Sequence, residues 1–246
     1  MQSLQLIAHR GHALEFPENT LPAFESALRL GVRYVELDVQ LSRDRVPMVL
    51  HDATLERTCG VDGLVWEHDA QQLQRTSAGE PARFGTRHAA ICLPALRDAL
   101  ALLRTWPQAQ LFVELKTESI EHFGLDAVLD AVLGELQHQT GPWIPISFDL
   151  EAVRAARARS GLPIGWALTR YDAPSAAQAA ALAPDYLFCN WRKFPDGGPL
   201  WSGPWQWCSY EVREAALARA LHARGVPLIE TMAAGALGDA LRATAG

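Results

Sequence analysis

Short apolar runs alternate with longer segments whose apolar residues recur every three or four positions. The run LQLIA at 4–8 ends in the polar stretch HRG, and ENTLPAFESALRLG at 18–31 has the spacing of an amphipathic helix with Thr20 as its N-cap. The run YVELDVQL at 34–41 alternates as a strand does, with successive side chains on opposite faces. The chain is therefore predicted to begin with a strand, a helix and a second strand.

Another apolar run follows this second strand almost at once. VPMVLHD at 46–52 comes after the turn SRDR, which is too short for a crossover helix. We expect it to pair antiparallel with the strand at 34–41 as a hairpin. From 53 to 92 several glycines and a proline interrupt the pattern, so this segment is predicted to be a small irregular insertion.

Six more strand-like runs follow, most of them separated by helix-like segments. They are AQLFVELK, WIPISF, IGWALT, DYLFCN, WQWCSY and VPLIET. Strands joined by helical crossovers are expected to be parallel, and eight such units in 246 residues fit a closed (β/α)8 barrel, or TIM barrel. A doubly wound open sheet is the alternative. No linker or repeat marks a second domain, so residues 1–246 are predicted to form a single domain.

Composition excludes several classes of protein. With 49% hydrophobic and 20% charged residues the chain resembles an ordinary folded protein, and its net charge of −6 argues against a nucleic-acid or anionic-membrane partner. No apolar run approaches the roughly 18 residues of a membrane span and no leader-like pattern opens the sequence, so we expect a cytoplasmic protein without stable membrane insertion. The four cysteines lack CxxC spacing and are expected to be reduced.

Carboxylates gather where the predicted strands end. Glu36 and Asp38 lie two residues apart and point to the same face of their strand, and Glu114 lies near the end of the run AQLFVELK. The carboxyl ends of barrel strands form the mouth of the active site. Three carboxylates in that confined space must take up protons or share a cation, and oxygen ligands suit Mg²⁺ or Ca²⁺. Pairing with arginine or lysine is the alternative.

Two histidines and two basic residues are predicted at the same mouth. His9 and His51 end strong strand patterns, where a pair of histidines suits acid–base catalysis near neutral pH, although metal ligation is an alternative. Arg10 and Lys116 would attract an anion, most simply a phosphate ester. The alternative for Lys116 is a simple ion pair with a neighbouring glutamate.

Five segments together resemble the motifs of the glycerophosphodiester phosphodiesterases. They are AHRGHALEFPENT, ELDVQLSRDRVPMVLHD, CLPALRDAL, VELK and SFD, in matching order and spacing. The resemblance implies a (β/α)8 barrel with a small insertion after the HD motif. It also implies hydrolysis of glycerophosphodiesters to glycerol 3-phosphate and an alcohol, with a divalent cation.

The resemblance assigns roles to individual residues. His9 and His51 would be the catalytic pair, and our hypothesis takes His9 as the base and His51 as the acid, an order that the sequence leaves open. The other implied positions are the metal ligands Glu36, Asp38 and Glu114, the phosphate-binding residues Arg10 and Lys116, and Glu18 of the PENT element as a substrate contact. Asn19, the next residue, is interpreted like Thr20 as a cap of the first helix.

The second half of the chain departs from the family pattern. Tyr210 stands where asparagine is common, Met232 replaces a late aspartate, and Arg45 occupies a turn position where glycine is usual. These differences leave the predicted histidines and carboxylates intact. They therefore bear on the preferred alcohol more than on the type of reaction.

A loop at 190–210 contains four of the eight tryptophans. We expect at least two of the indoles to pack the loop onto the barrel. Trp207, near the end of a predicted strand, is expected to contact the glycerol or the leaving alcohol. If that alcohol is choline, an aromatic face would add a cation–π attraction of ~0.5–2 kcal/mol.

The expected partner is a small-molecule glycerophosphodiester, and the nucleophile is either water or the 2-hydroxyl of its glycerol. Two other functions stay open on the sequence. One is a related barrel phosphodiesterase that acts on lysophospholipids or phosphoinositides. The other is a barrel without catalytic activity that binds a phosphate-bearing ligand.

Overall fold

The computed structural model describes residues 3–139 and 141–243, and its strands form a single sheet. The strands of this part of the chain are β1 (Gln5–Ala8), β2 (Tyr34–Leu41), β3 (Pro47–Val49), β4 (Gln110–Leu115), β5 (Trp143–Ser147), β6 (Gly165–Ala167), β7 (Tyr186–Asn190), β8 (Gln206–Tyr210) and β9 (Leu228–Thr231). β3 pairs antiparallel with β2, which confirms the predicted hairpin. The other pairings are parallel.

The eight parallel strands close into a barrel. Their order is β1, β9, β8, β7, β6, β5, β4 and β2, and a further pairing of β1 with β2 joins the two ends. Ile7 on β1 accordingly lies opposite Tyr34 on one side and Glu230 on the other. The predicted (β/α)8 barrel is confirmed. The open-sheet alternative is wrong, because the pairing of β1 with β2 leaves none of the eight parallel strands at a free edge.

Helices cover the outside of the barrel. In the described ranges they are α1 (Leu21–Arg29), α2 (Glu56–Cys59), α3 (Ala70–Leu73), α4 (Pro81–Phe84), α5 (Leu96–Arg104), α6 (Thr117–Phe123), α7 (Leu125–His138), α8 (Leu150–Ser160), α9 (Ala173–Leu182), α10 (Ala215–Ala223) and α11 (Ala234–Ala243). Two 3₁₀ turns lie at Val65–Glu67 and Trp191–Lys193. α1 buries Phe24 and Leu28, at the helical spacing that the sequence predicted.

Thr20 occupies the N-cap position of α1, but its side chain does not cap the helix. The hydroxyl instead donates a hydrogen bond of 2.6 Å to the carbonyl oxygen of Pro17. The expected side-chain cap is therefore corrected. The hydroxyl closes the short loop that carries Glu18 and Asn19.

The segment between β3 and α5 is more regular than the sequence suggested. It contains α2, α3, α4 and the first 3₁₀ turn, and its apolar side chains form a small core of their own. This core includes Leu55, Val65 and Leu73 and continues to Met48 on β3. Helices of four residues are too short to display a 3.6-residue period, which is why the sequence pattern looked irregular.

Strand alternation separates the barrel interior from the layer between sheet and helices. Phe112, Ile146 and Phe188 fill the interior, whereas Leu37 and Val113 belong to the outer layer. Because side chains alternate along each strand, Glu36 and Asp38 share the inward face of β2. The interior is thus apolar in its lower part and charged toward the carboxyl ends of the strands.

The cysteines are free, and three of them, Cys59, Cys189 and Cys208, are buried. This agrees with the expected reduced thiols. Within 3–139 and 141–243 no helix combines the length and the apolar character needed to cross a bilayer.

Candidate active site

A cavity of about 210 Å³ opens among the carboxyl ends of the barrel strands. It is lined by His9, Arg10, His51, Glu114, Lys116, Ile146, Phe148, Ala167, Phe188, Tyr210, Glu211 and Glu230. Five of the site residues predicted from the sequence are in this lining. Glu36 and Asp38 also point into the barrel but are almost completely buried, each with 1% of its surface exposed.

The three predicted carboxylates converge. Asp38 on β2 lies directly opposite Glu114 on β4, and Glu36 precedes Asp38 on the same face. One oxygen atom from each of the three side chains lies within 4.8 Å of the others. They are therefore close enough to bind a common ion.

Asp38 already has positively charged neighbours. Its carboxylate lies 3.1 Å from Nε of Arg10 and 3.4 Å from Nζ of Lys116, which is also 2.9 Å from Glu114. Burial by itself would raise the pKa of Asp38, but Arg10 and Lys116 hold that pKa well below its usual value. Lys116 thus forms the ion pair that the sequence left as an alternative, and it still lines the cavity.

Glu36 lacks such compensation. One carboxylate oxygen accepts a 3.0 Å hydrogen bond from the backbone amide of Arg10, whereas Oε1 is buried without a hydrogen-bond partner in the described parts of the chain. Burial, together with Asp38 and Glu230, raises the pKa of Glu36 well above its usual value. An orphaned carboxylate oxygen beside two further carboxylates is the donor set that a hard divalent cation requires, so these residues fit such an ion.

His9 is held as a neutral imidazole. Burial, with a further contribution from the Arg10 guanidinium, lowers the pKa of His9 to about 3. Its Nε2 lies 3.9 Å from a carboxylate oxygen of Glu36. A neutral imidazole at the cavity wall can accept a proton from a bound nucleophile.

His51 is oriented by the residue that follows it. Its Nδ1 lies 2.5 Å from Oδ1 of Asp52, which leaves Nε2 as the ring nitrogen available for proton transfer. Burial would raise the pKa of Asp52, but hydrogen bonds from Arg57 and His51 lower it to about 2. Asp52 is therefore ionised at neutral pH and fixes the tautomer of the imidazole.

Arg57, on α2 of the insertion, is a residue that the sequence analysis missed. Its guanidinium donates to Asp52 at 2.6 Å and to both oxygens of Glu18, at 2.7 and 2.9 Å. Glu18 in turn lies 2.8 Å from Nη1 of Arg10. Arg57 thereby connects Asp52, the partner of His51, with Glu18, the partner of Arg10. Short helices in a region of weak periodicity offered no sequence signal for this role.

Asn19 positions Asp38 and does not cap α1. Its side-chain amide donates to Oδ2 of Asp38 at 2.8 Å, and its Oδ1 accepts from the Asp38 backbone amide at 3.3 Å. The backbone of Asn19 has φ = 57°, a left-handed conformation that asparagine tolerates better than most residues. The motif PENT contained this signal, which the helix-cap interpretation overlooked.

A sequence model of the glycerophosphoryl diester phosphodiesterase family matches residues 9–198. The chain belongs to this family. A glycerophosphodiester phosphodiesterase of Bacillus altitudinis is 34% identical over 134 residues, which cover 54% of this chain and 53% of that protein. A putative glycerophosphodiester phosphodiesterase of Bacillus subtilis is 32% identical over 157 residues, covering 63% and 61%. The chain thus matches a little more than half the length of these two relatives.

Solved structures share the fold of this family member along almost its whole length. A phosphodiesterase of Oleispira antarctica, solved in complex with the product sn-glycerol-3-phosphate, has a TM-score of 0.85 and 23% identity, with 97% of this chain and 96% of that one covered. A putative glycerophosphoryl diester phosphodiesterase of Silicibacter pomeroyi has a TM-score of 0.84 and 22% identity, covering 98% and 94%. At these identities the likeness establishes the barrel alone.

Glu18, expected as a substrate contact from the family resemblance, lies behind the cavity. It is 4% exposed, and its carboxylate is held by Arg10 and Arg57. These ion pairs keep the pKa of Glu18 below its usual value, although burial alone would raise it. We correct the expectation: Glu18 positions Arg10 and does not line the pocket.

Trp207 lies outside the cavity as well. It points outward from β8, where its indole donates to the carbonyl oxygen of Trp201 at 3.1 Å and packs edge-on against Phe194. The prediction that Trp207 contacts the substrate was wrong. Side chains alternate along β8, and Cys208 and Tyr210 point into the barrel while Trp207 points away from it. Packing of the indoles against the barrel is confirmed, since Trp205 and Trp207 are buried in the outer layer.

Two of the departures from the family pattern have clear structural settings. Tyr210 lines the cavity, and Arg45 has φ = 60° in the turn before β3, a left-handed conformation in which glycine would be relaxed. Met232 follows β9, and its backbone carbonyl accepts a hydrogen bond from Leu14. Tyr210 therefore lines the 210 Å³ cavity, whereas Met232 lines a neighbouring cavity that also includes His9 and Arg10.

Glu230 is a further carboxylate that the sequence analysis missed. It lies on the inward face of β9, lines the cavity and is 4% exposed. Burial and the nearby Glu114 raise its pKa well above the usual value. Within the predicted strand VPLIET, Glu230 lies two residues after the inward-facing Leu228, so strand alternation would have placed it on the inward face.

Proposed function

We propose that this chain hydrolyses glycerophosphodiesters to glycerol 3-phosphate and an alcohol at the barrel mouth. The observation that supports this most strongly is that two histidines, two basic residues and Glu114 line one cavity, with Glu36 and Asp38 buried beside Glu114. The Oleispira relative holds sn-glycerol-3-phosphate in the same fold, which is consistent with such a substrate. A cytoplasmic location stays a prediction that cell fractionation can test.

Glu36, Asp38 and Glu114 would hold a divalent cation, Mg²⁺ or Ca²⁺. The unpartnered oxygen of Glu36 supports this assignment. When bound, such an ion withdraws charge from a phosphodiester oxygen and so favours nucleophilic attack. Arg10 and Lys116 border the same space and would stabilise the negative charge that grows on the phosphoryl oxygens.

His9 would act as the base and His51 as the acid. Burial keeps the His9 imidazole neutral, so a ring nitrogen is free to accept a proton from water or from the glycerol 2-hydroxyl. His51, oriented by Asp52, would deliver a proton from Nε2 to the leaving alcohol oxygen. The supporting observation is the different environment of the two rings, one buried beside Glu36 and the other paired with an ionised aspartate.

The test is a diester panel assayed after EDTA treatment and again with each metal restored. Glycerophosphocholine, glycerophosphoethanolamine and lysophosphatidylcholine are compared at equal concentration, and the released alcohol, choline or ethanolamine, is quantified together with glycerol 3-phosphate. We expect no turnover in EDTA and recovery with Mg²⁺ or Ca²⁺ for the two glycerodiesters. Turnover of lysophosphatidylcholine alone would identify a different phosphodiesterase. Binding of glycerol phosphate without turnover of any diester would identify a non-catalytic barrel.

A further inference from the structure

Glu230 differs from the other charged residues around the cavity because it lacks a counter-ion. The other lining residues with a formal charge form ion pairs: Arg10, Glu114, Lys116 and Glu211. Within 3–139 and 141–243 the Glu230 carboxylate accepts no hydrogen bond and has no cationic nitrogen within 4.0 Å. It is nevertheless 96% shielded from solvent, since only 4% of its surface is exposed. A buried carboxylate without a partner calls for a ligand that supplies one.

Aromatic rings form the wall beside this carboxylate. Phe148, Phe188 and Tyr210 line the same cavity, and the rings of Phe148 and Tyr210 meet edge to face with centroids 6.3 Å apart. Aromatic faces attract ammonium groups, and a carboxylate adds the opposite charge. The remaining lining on this side, Ile146 and Ala167, is apolar and offers no competing donor.

We propose that Glu230, with Phe148 and Tyr210, binds an ammonium group on the alcohol arm of the diester. The pocket would then prefer substrates whose leaving alcohol carries a positive charge. This inference rests on the proposed hydrolysis, because the phosphate must lie near Arg10 and Lys116 for an arm of the diester to reach Glu230. One continuous cavity contains all three of these residues.

A metal ion is the competing occupant. One ligand atom from each of His9, Glu36 and Glu230 lies within 4.8 Å of the others. An ion there would engage His9, which could then no longer accept a proton, and it would make no use of the aromatic wall. The ammonium group accounts for both the carboxylate and the rings, so we favour it.

The test compares glycerophosphocholine with glycerophosphoglycerol, whose head group is neutral, under saturating Mg²⁺. Glu230→Gln keeps the shape of the side chain and removes the carboxyl group that ionises beside an ammonium group. We expect kcat/KM for glycerophosphocholine to fall about 10- to 100-fold, the cost of losing one charge-assisted contact, with a change below about 3-fold for the neutral diester. Glu211→Gln is the matched control, because this carboxylate lies on the same wall but is paired with Arg192, and it should leave the ratio of the two kcat/KM values unchanged.

A second variant and a binding measurement separate the possible outcomes. Tyr210→Leu should weaken glycerophosphocholine selectively without touching a carboxylate. Isothermal titration calorimetry of both diesters with His51→Ala and with His51→Ala/Glu230→Gln compares their binding affinities without turnover. A wild type inactive on both diesters would refute the proposed hydrolysis, while selective binding in this titration would still support the ammonium site.

Two results would overturn the ammonium site. One is an equal loss for both diesters in Glu230→Gln. The other is an increased Mg²⁺ requirement that the neutral diester shares, which would assign Glu230 to a metal ion.

Discussion

The two histidines of the cavity, His9 and His51, lie in different surroundings. His9 is buried beside Glu36 with a pKa lowered to about 3, whereas His51 is paired with Asp52. These surroundings suit the roles proposed for the two rings, His9 as the base and His51 as the acid. Their chemistry is therefore decided by neighbours, and the type of residue alone does not specify it.

Replacing either histidine should abolish most of the activity while the fold is preserved. We expect His9→Ala and His51→Ala each to lower kcat about 10²- to 10⁴-fold, the usual contribution of a positioned acid or base. His138→Ala is the control, since this histidine is exposed at the end of α7. Steady-state kinetics with glycerophosphocholine measure the effect. Full activity in both cavity variants would remove the acid–base assignment.

Asp52 makes a pH-dependent contribution to stability. Its pKa in the folded protein, about 2, lies below the ordinary value of 3.8, so the stabilisation is present above about pH 4 and is lost as the pH falls toward 2. Lowering the pH from 5 to 2.5 should reduce the free energy of unfolding of both proteins. We expect this reduction to be about 1 kcal/mol smaller in Asp52→Asn than in the wild type. Urea unfolding at the two pH values measures this. Identical losses in the two proteins would show that Asp52 is not specifically stabilised in the native state.

At the scale of elements, the insertion holds the loop after β1 in place. Glu80, at the start of α4, accepts a 2.6 Å hydrogen bond from the backbone amide of Glu18, and Arg83 donates to the carbonyl oxygen of Ala13 at 2.6 Å. With Arg57 on α2, these contacts fix the segment that carries Arg10 and Asn19. The insertion therefore supports the site although none of its helices lines the cavity.

Removing the central contact of the insertion should impair catalysis without unfolding the barrel. We expect Arg57→Ala to lower kcat about 10- to 100-fold, because both Asp52 and Glu18 lose charged hydrogen bonds. Arg43→Ala is the matched control: Arg43 also makes a two-pronged contact with an aspartate, Asp69, but on the surface. Kinetics and thermal melting are measured together. A loss of activity only in proportion to a loss of folded protein would indicate a purely structural role.

At the scale of the whole molecule, closing the barrel concentrates negative charge. β2, β4 and β9 bring Glu36, Asp38, Glu114 and Glu230 to one end of the interior, where Arg10 and Lys116 form ion pairs with Asp38 and Glu114. The remaining repulsion opposes folding and would be relieved by a bound divalent cation. Metal binding should therefore stabilise the entire domain.

Thermal melting with and without metal tests this coupling. We expect Mg²⁺ or Ca²⁺ at about 100 times its dissociation constant to add about 2.7 kcal/mol to the free energy of unfolding. Glu36→Gln should lose this increase, because it removes the carboxylate with the orphaned oxygen. Glu135→Gln on α7 is a control outside the cavity and should retain it. An unchanged melting temperature in the wild type would argue against a metal site.

The sequence predicted the barrel, the hairpin and the main charged residues of the site because these depend on local periodicity. Alternation on β2 placed Glu36 and Asp38 on one face, and the motifs at the strand ends identified His9, His51, Arg10 and Lys116. The errors arose where a side chain's direction or partner is set elsewhere. Trp207 was assigned to the wrong face, and Glu18 was taken for a substrate contact.

Hydrophobic periodicity by itself determined the order of the elements, and the resemblance of the strand-end motifs to those of a known family indicated the reaction type to test. Only the tertiary structure decided that Arg57 joins Asp52 to Glu18, that Asn19 holds Asp38, and that Glu230 faces the pocket unpaired. The physical reason is that the contacts of Arg57 with Glu18 and of Asn19 with Asp38 join residues 39 and 19 positions apart in the chain. Their geometry comes from closing the sheet and docking the insertion, which no local pattern encodes.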